Sequence, residues 1–281
     1  MTETPEHYTN WIARQTTTTS PVALSIVVPA FNEERRLPPT LIDMVDYFDR
    51  AGTEYEVIVV DDGSTDRTSE VVRKFERVRS CIKLIQLPRN YGKGHAVRLG
   101  VLNSRGNRIL FADADGSTPI QEISRLLAAL DKGADIAIGS RALSSSETKV
   151  ETSVHRRYLG RVFNWCVNAV LLPDIADTQC GFKMFSRQSA LFLFKHQRSD
   201  RFSFDVEILF LARKVGLTIA EVAINWTNVA GSKVNLIADA LSMFRDIFRF
   251  RVMHRGVNPE SFLAFKDAEA DLLGKRGTTY P

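Results

Sequence analysis

The sequence predicts one α/β domain, a mostly parallel central sheet flanked by helices. Three observations lead there. From Leu24 onward, short β-branched runs alternate with segments of helical periodicity, the rhythm of strand–helix–strand units. The first run, residues 25–29, carries Ile26, Val27 and Val28 in succession and is of the buried type found in strands covered on both faces. And 281 residues with 44% apolar and 25% charged content suffice for one large core, with no second full domain.

The elements follow in order. After strand 25–29, Pro38 and Pro39 suit the first turn of a helix, Leu41, Met44, Val45 and Phe48 form its apolar stripe, and Gly52 ends it. Residues 56–60 are the second strand, followed by a turn at 61–65 and an amphipathic helix through Val71, Val72 and Phe75. Residues 82–87 form a third strand, and a glycine-containing loop then opens a helix through Val97 and Val101. Arg108–Ala112 is the fourth strand. A helix at 123–130 and a strand at 135–138 deliver Gly139, Ser140 and Arg141 to the strand's C-terminal end, where ligands collect in open α/β sheets.

Beyond that point the rhythm breaks. Residues 142–152, rich in Ser and charge, read as a mobile loop of the kind that acts as a lid. A long helix at 154–172, a short strand at 182–185, a helix at 204–215 and a strand at 218–224 follow. Residues 234–253 are a helix with Leu236, Ile237, Leu241, Phe244, Ile247 and Phe248 on one side and arginines between them. The domain is expected to span 21–256, between a flexible leader at 1–20 and a polar C-terminal tail at 257–281. There is no internal repeat.

Composition narrows the setting. Cys81, Cys166 and Cys180 are few, odd in number and without metal-ligand spacing, which points to a reducing, cytoplasmic compartment. The leader has neither the basic start nor the apolar core of a signal peptide. The apolar stretches fall short of the roughly 20 residues that span a bilayer, so only peripheral contact with a membrane's cytoplasmic face is expected. The net charge of +4 selects no nucleic-acid partner. Lys233, Arg245, Arg249, Arg251 and Arg255 cluster late in the chain, either as a solvated helix face or as a surface for an anionic substrate or membrane.

The strongest local signal is Asp113-Ala114-Asp115, directly after the fourth strand. Two carboxylates one small residue apart can approach one hard divalent cation and leave sites for phosphate oxygens. Asp115-Gly116 is also a common turn dipeptide. Two earlier strands end in polar turns, 29–33 and 61–66. Acidic ends converging on one sheet edge are costly unless a cation or hydrogen-bond donors sit among them.

The series Val27-Val28-Pro29-Ala30-Phe31-Asn32-Glu33, Val59-Val60-Asp61-Asp62-Gly63-Ser64 and Asp113-Ala114-Asp115 resembles the family 2 glycosyltransferases, whose GT-A fold is Rossmann-like. The resemblance implies that Pro29, Phe31, Glu33 and Asp61 hold the nucleoside, and that Asp113 and Asp115 hold Mg2+ or Mn2+ and the diphosphate. It also implies that Lys93, within Arg89-Asn90-Tyr91-Gly92-Lys93-Gly94, faces the nucleotide.

Gly139-Ser140-Arg141, the run from Asp177 to Lys183, Phe204-Asp205-Val206-Glu207, Asn225-Trp226 and Gly231-Ser232-Lys233 are similar to the dolichyl-phosphate β-glucosyltransferase branch of polyprenyl-phosphate glycosyltransferases. That implies an inverting hexosyltransferase, with UDP-glucose as the nucleotide-sugar donor and a polyprenyl phosphate acceptor. Such an acceptor is already ionised and requires no general base. Arg141 and Lys233, then Arg156 and Arg157, are the cations expected to bring the two anions together.

If the acceptor is instead a soluble or saccharide hydroxyl, Asp205 is the expected base. With a phosphate acceptor, Asp205 and Glu207 are expected to position sugar hydroxyls or Lys183 and Lys233. The five histidines have no ligand spacing, Cys180 reads as a packing residue, and Trp226 either stacks on a ligand or seals the core. The residues argue against a dinucleotide-dependent oxidoreductase, because its glycine-rich first turn has no counterpart in 29–33. A non-catalytic nucleotide or lipid-surface binding module is the remaining alternative.

Overall fold

The computed structural model describes residues 22–143, 145–151, 167–168, 170–229, 246 and 249–277. Lys233, Arg156, Arg157, Arg245, Cys166, the expected leader and most of the expected helices at 154–172 and 234–253 lie outside these residues.

The described chain folds as β1 (Leu24–Ala30), α1 (Leu37–Ala51), β2 (Tyr55–Asp61), α2 (Thr68–Val78), β3 (Ile82–Gln86), α3 (Lys93–Leu102), β4 (Arg108–Ala112), α4 (Ile123–Asp131) and β5 (Ile136–Ser140). There follow β6 (Val150–Glu151), β7 (Phe182–Ser186), α5 (Arg187–His196), α6 (Phe204–Lys214), β8 (Ile219–Ala223), β9 (Trp226–Thr227) and α7 (Pro259–Gly277). Seven strands form one sheet in the order β3-β2-β1-β4-β7-β5-β8. All pair in parallel except β7, which runs antiparallel to both β4 and β5.

The central strands are apolar at consecutive positions because helices cover both faces. On β1, Val27 packs in the cluster with Val97 and Val101 of α3, whereas Ile26 and Val28 pack in the cluster with Leu37, Leu41, Met44 and Phe48 of α1. Helix α1 begins with proline in its first turn. It ends at Gly52 (φ 61°), whose N–H donates to the Asp49 and Phe48 carbonyls.

Three segments differ from the sequence expectation. Residues 259–277, expected as a polar tail, form α7, which docks Phe262 and Phe265 on Phe192 of α5 at ring distances of 5.1 and 5.5 Å. Its start is reciprocally capped: Ser261 N–H donates to Asn258 Oδ1 and Asn258 N–H to Ser261 Oγ, both at 2.9 Å. Helix α5 was not expected at all, because its Ala190-Leu191-Phe192-Leu193-Phe194 core is apolar on all sides and carries no amphipathic period. Within the segment expected as a lid, Val150 and Glu151 pair in parallel with Trp226 and Thr227.

Candidate active site

The C-terminal ends of β1, β2 and β4 meet at one rim, where the first two turns are hydrogen-bonded together. Asn32, at φ 54°, donates its N–H to Ser64 Oγ (2.8 Å) and accepts the Thr65 N–H at Oδ1 (2.7 Å). Glu33 N–H donates to Thr68 Oγ1 at 2.7 Å. Pro29 is buried within β1, in register with Val60, and Phe31 lies half-buried at the strand's exit.

Glu33 was expected on the nucleoside; here its carboxylate is gripped by Arg36, with Nε donating to Oε2 at 2.7 Å. A second guanidinium nitrogen of Arg36 meets Oε1, and Nη1 stands 3.8 Å from Asp115 Oδ2. The hydrogen bond to Glu33, then the fields of Glu33, Asp115 and Asp113, raise the Arg36 pKa against the opposing effect of burial.

Asp61 ends β2 with 0% exposure, and its carboxylate accepts the Ser64 N–H at 3.0 Å and the Ser69 hydroxyl. In this geometry it builds the turn. Its neighbour Asp62 reaches the following loop, accepting the Tyr91 and Gly92 N–H groups at 2.8 Å each. Burial raises the Asp62 pKa, and those two amides oppose the rise. Gly92 (φ 115°) leads directly into α3, whose first residue, Lys93, stretches back to the rim.

Lys93 Nζ lies 2.7 Å from Asp113 Oδ1 and 5.1 Å from the centre of the Phe111 ring. Burial disfavours its charge, but Asp113, Asp205 and Asp115 outweigh that and raise its pKa. Asp113 itself needs a glycine opposite. A Cβ on Gly181 would overlap Asp113 Oδ2, and the Gly181 carbonyl accepts the Asp113 N–H at 3.0 Å. Asp115 Oδ1 accepts the Ser117 N–H at 3.0 Å, and Thr40 Oγ1 ties the intervening Ala114 carbonyl at 3.0 Å.

A second row of charge sits behind the first. Lys183 of β7 is buried, donates to the Cys180 carbonyl at 2.7 Å and pairs with Asp205 at the start of α6. Asp205 is only 3% exposed, and burial raises its pKa against the pull of Lys183 and Lys93. Burial pushes the Cys180 thiol up to about 12, which fits the packing role expected of it.

Arg141 stands at the end of β5 in a two-toothed grip on Asp177, at 2.7 and 2.8 Å. Burial acts to raise the Asp177 pKa, but the Arg141 guanidinium wins and lowers it. Glu221 of β8 fixes Asp177 from behind by accepting the Ala176 and Asp177 N–H groups at 2.9 and 2.8 Å. Trp226 lies with the Arg141 guanidinium 5.5 Å from its ring centre.

The structure thus brings Glu33, Lys93, Asp113, Asp115 and Asp205 into one charge network, while Lys233 lies outside the described residues. Sequence reasoning missed Arg36, Asp62 and Glu221. Arg36 left a local sign, a cation three residues after Glu33 at the start of a helix, and Asp62 stands inside the run 59–64 that carried the resemblance, whereas Glu221 left none. Among the described residues no cluster of three or more His, Cys, Asp or Glu side chains could hold a metal. Asp113 and Asp115 nevertheless fit a hard cation shared with a ligand: both are carboxylates with partly exposed side chains, and Gly181, where a Cβ would collide with the Asp113 carboxylate, lets that carboxylate sit at the rim.

A mostly parallel α/β sheet with an acidic pair and its counter-charges at the rim is the arrangement of a GT-A glycosyltransferase. The family model for glycosyl transferase family 2 matches residues 25–193, and the chain belongs to that family. The dolichyl-phosphate β-glucosyltransferase of Mus musculus is 40% identical over 244 residues, 82% of this chain and 75% of that one. The protein of the same name from Dictyostelium discoideum is 39% identical over 242 residues, 82% and 74% of the two chains. Among solved structures, glucosyl-3-phosphoglycerate synthase from Mycobacterium tuberculosis, in complex with Mn2+ and UDP-glucose, shares the fold. Its TM-score is 0.60 at 18% identity, covering 84% of this chain and 80% of that one.

Proposed function

We propose that this glycosyltransferase moves glucose from UDP-glucose to a polyprenyl phosphate such as dolichyl phosphate, inverting the anomeric centre. The observation that carries the reading is the Asp113–Asp115 pair, presented at the rim with Lys93 and Arg36 as counter-charges. The curated relatives named for this reaction, at about 40% identity over four fifths of the chain, support the choice of substrates.

In this reading the two turns, joined by Asn32 and the second of them built on Asp61, frame the nucleoside, with Phe31 at their mouth and Pro29 and Glu33 shaping the floor. Mg2+ or Mn2+, held by Asp113 and Asp115, would supply positive charge beside the diphosphate as it leaves. Lys93 and Arg36 keep cationic charge at that rim through the whole reaction, where it lowers the barrier without reorganisation. Arg141, held rigid by Asp177, presents its remaining donors to the acceptor phosphate, and Lys233 is assigned to the same anion.

The acceptor class is favoured by the position of Asp205. A general base must reach the proton it removes, whereas Asp205 is buried and committed to Lys183. A phosphate oxygen, already ionised near neutral pH, needs no such base. Asp205 therefore acts through Lys183 and Lys93.

Among the described residues no helix is long and apolar enough to cross a membrane. We assign a peripheral contact with the cytoplasmic face to the segment around Val252 and Met253, which are 58% and 41% exposed between the exposed Arg249, Arg251 and Arg255.

The test is transfer of labelled glucose from UDP-glucose to a short polyprenyl phosphate, beside a soluble sugar acceptor. Asp115→Asn should lower transfer at least about 100-fold with an unchanged melting temperature. Transfer to the soluble sugar alone would overturn the acceptor assignment, and full activity of Asp115→Asn would overturn the role of the acidic pair.

A further inference from the structure

Helix α3 begins at Lys93 without a side-chain cap, because its N-cap residue is Gly92. Its first turn is instead held from elsewhere in the chain. The His95 N–H donates to the Asp200 carbonyl at 3.0 Å, and His95 Nδ1 lies 3.1 Å from Asp200 Oδ1. Gln197 Nε2 donates to the Gly94 carbonyl at 2.9 Å and to the Ser199 carbonyl at 2.6 Å. The connection between α5 and α6 lies so close that a Cβ on Gly94 would come 2.6 Å from the Ser199 carbonyl oxygen.

That connection is held in turn by one buried carboxylate. Glu207 of α6 accepts the Arg198 N–H at 2.9 Å on Oε1 and the Ser199 N–H at 2.8 Å on Oε2. His254 Nε2 lies 2.6 Å from Oε1. Glu207 and His254 are both buried, at 0% and 3% exposure.

We infer that Glu207, seconded by His254, is a positioning residue for Lys93. It fixes residues 198–200, these cap the first turn of α3, and the capped turn aims the Lys93 ammonium at Asp113. Asp62 anchors the entry to the same turn through the Tyr91 and Gly92 amides, so Lys93 is braced both from the end of β2 and from the α5–α6 connection. The contact of His254 also ties this brace to the C-terminal segment of the chain. The inference rests on the reading that Lys93 serves the sugar-nucleotide.

The experiment is amide hydrogen exchange on the full chain, with UDP-glucose affinity measured by calorimetry on Glu207→Gln, Lys93→Met and the double variant. Glu207→Gln should speed exchange at residues 93–96 by about tenfold or more while β1 and β2 keep their protection. It should weaken donor binding severalfold alone but add nothing further on the Lys93→Met background. Unchanged exchange at residues 93–96, or a full additive loss in the double variant, would overturn the inference. If Lys93→Met binds the donor normally, the reading of Lys93 fails, and the exchange result still decides the brace. Gly94→Ala presses on the same connection from the helix side, should reproduce the exchange effect, and keeps the question open to test if Glu207→Gln does not fold.

Discussion

Glu56 lies near the start of β2, at the end of the sheet remote from the rim, and has no exposed surface. Its carboxylate accepts the Ser25 hydroxyl and the Arg105 N–H at 2.7 Å each, and it meets Arg105 Nε and Lys83 Nζ at 3.0 and 3.1 Å. Burial works to raise its pKa, but these donors prevail and lower it. A lowered folded-state pKa stabilises the fold above the ordinary carboxylate range and loses that contribution as pH falls through it. Glu56→Gln should therefore cost about 2–3 kcal/mol at neutral pH in urea titrations. The gap to the parent protein should narrow below about pH 4; a gap unchanged at pH 3 would mean that shape, not charge, matters there. Asp177→Asn is the corresponding experiment at the rim. An amide cannot accept both the Arg141 N–H and its guanidinium through the same charge. The KM for polyprenyl phosphate should rise about tenfold while UDP affinity stays within about twofold, and equal losses would reassign Arg141 to the donor.

Elements were legible where local pattern and burial agree. Strands β1, β2 and β4, the proline start and glycine stop of α1, and the motif residues Lys93, Asp113 and Asp115 could all be read because each signal is contained in a few consecutive residues. Helix α7 escaped because its polar composition suggested a tail, although Asn258, Pro259 and Ser261 carry a start signal. Asn258→Ala should lower stability by about 1 kcal/mol, chiefly by freeing α7 from α5; chemical denaturation with exchange at residues 259–266 would detect it. The grips of Arg36 on Glu33, Asp62 on the α3 entry and Glu221 on Asp177 join distant or unpatterned positions, and only three-dimensional packing reveals them. Gly181 belongs with these. Gly181→Ala should displace Asp113 and reduce transfer by about 100-fold or more, a loss out of proportion to any fall in melting temperature.

For the molecule as a whole, an exposed apolar pair set among arginines predicts attraction to anionic bilayers. Sedimentation with vesicles containing phosphatidylserine should capture the protein more strongly than neutral vesicles, and added salt should weaken the capture. Val252→Asp combined with Met253→Asp should abolish it while leaving turnover with a water-soluble short-chain acceptor intact. The reversed direction of β7 carries a different implication. Because β5 and β7 run antiparallel, β5 finishes and β7 starts at the same edge of the sheet, which puts Ser140 and Phe182 at one rim. Arg141, just after β5, and Gly181, just before β7, are thereby delivered to one rim, so the cation gripped by Asp177 and the glycine that seats Asp113 arrive from the two ends of a single connection.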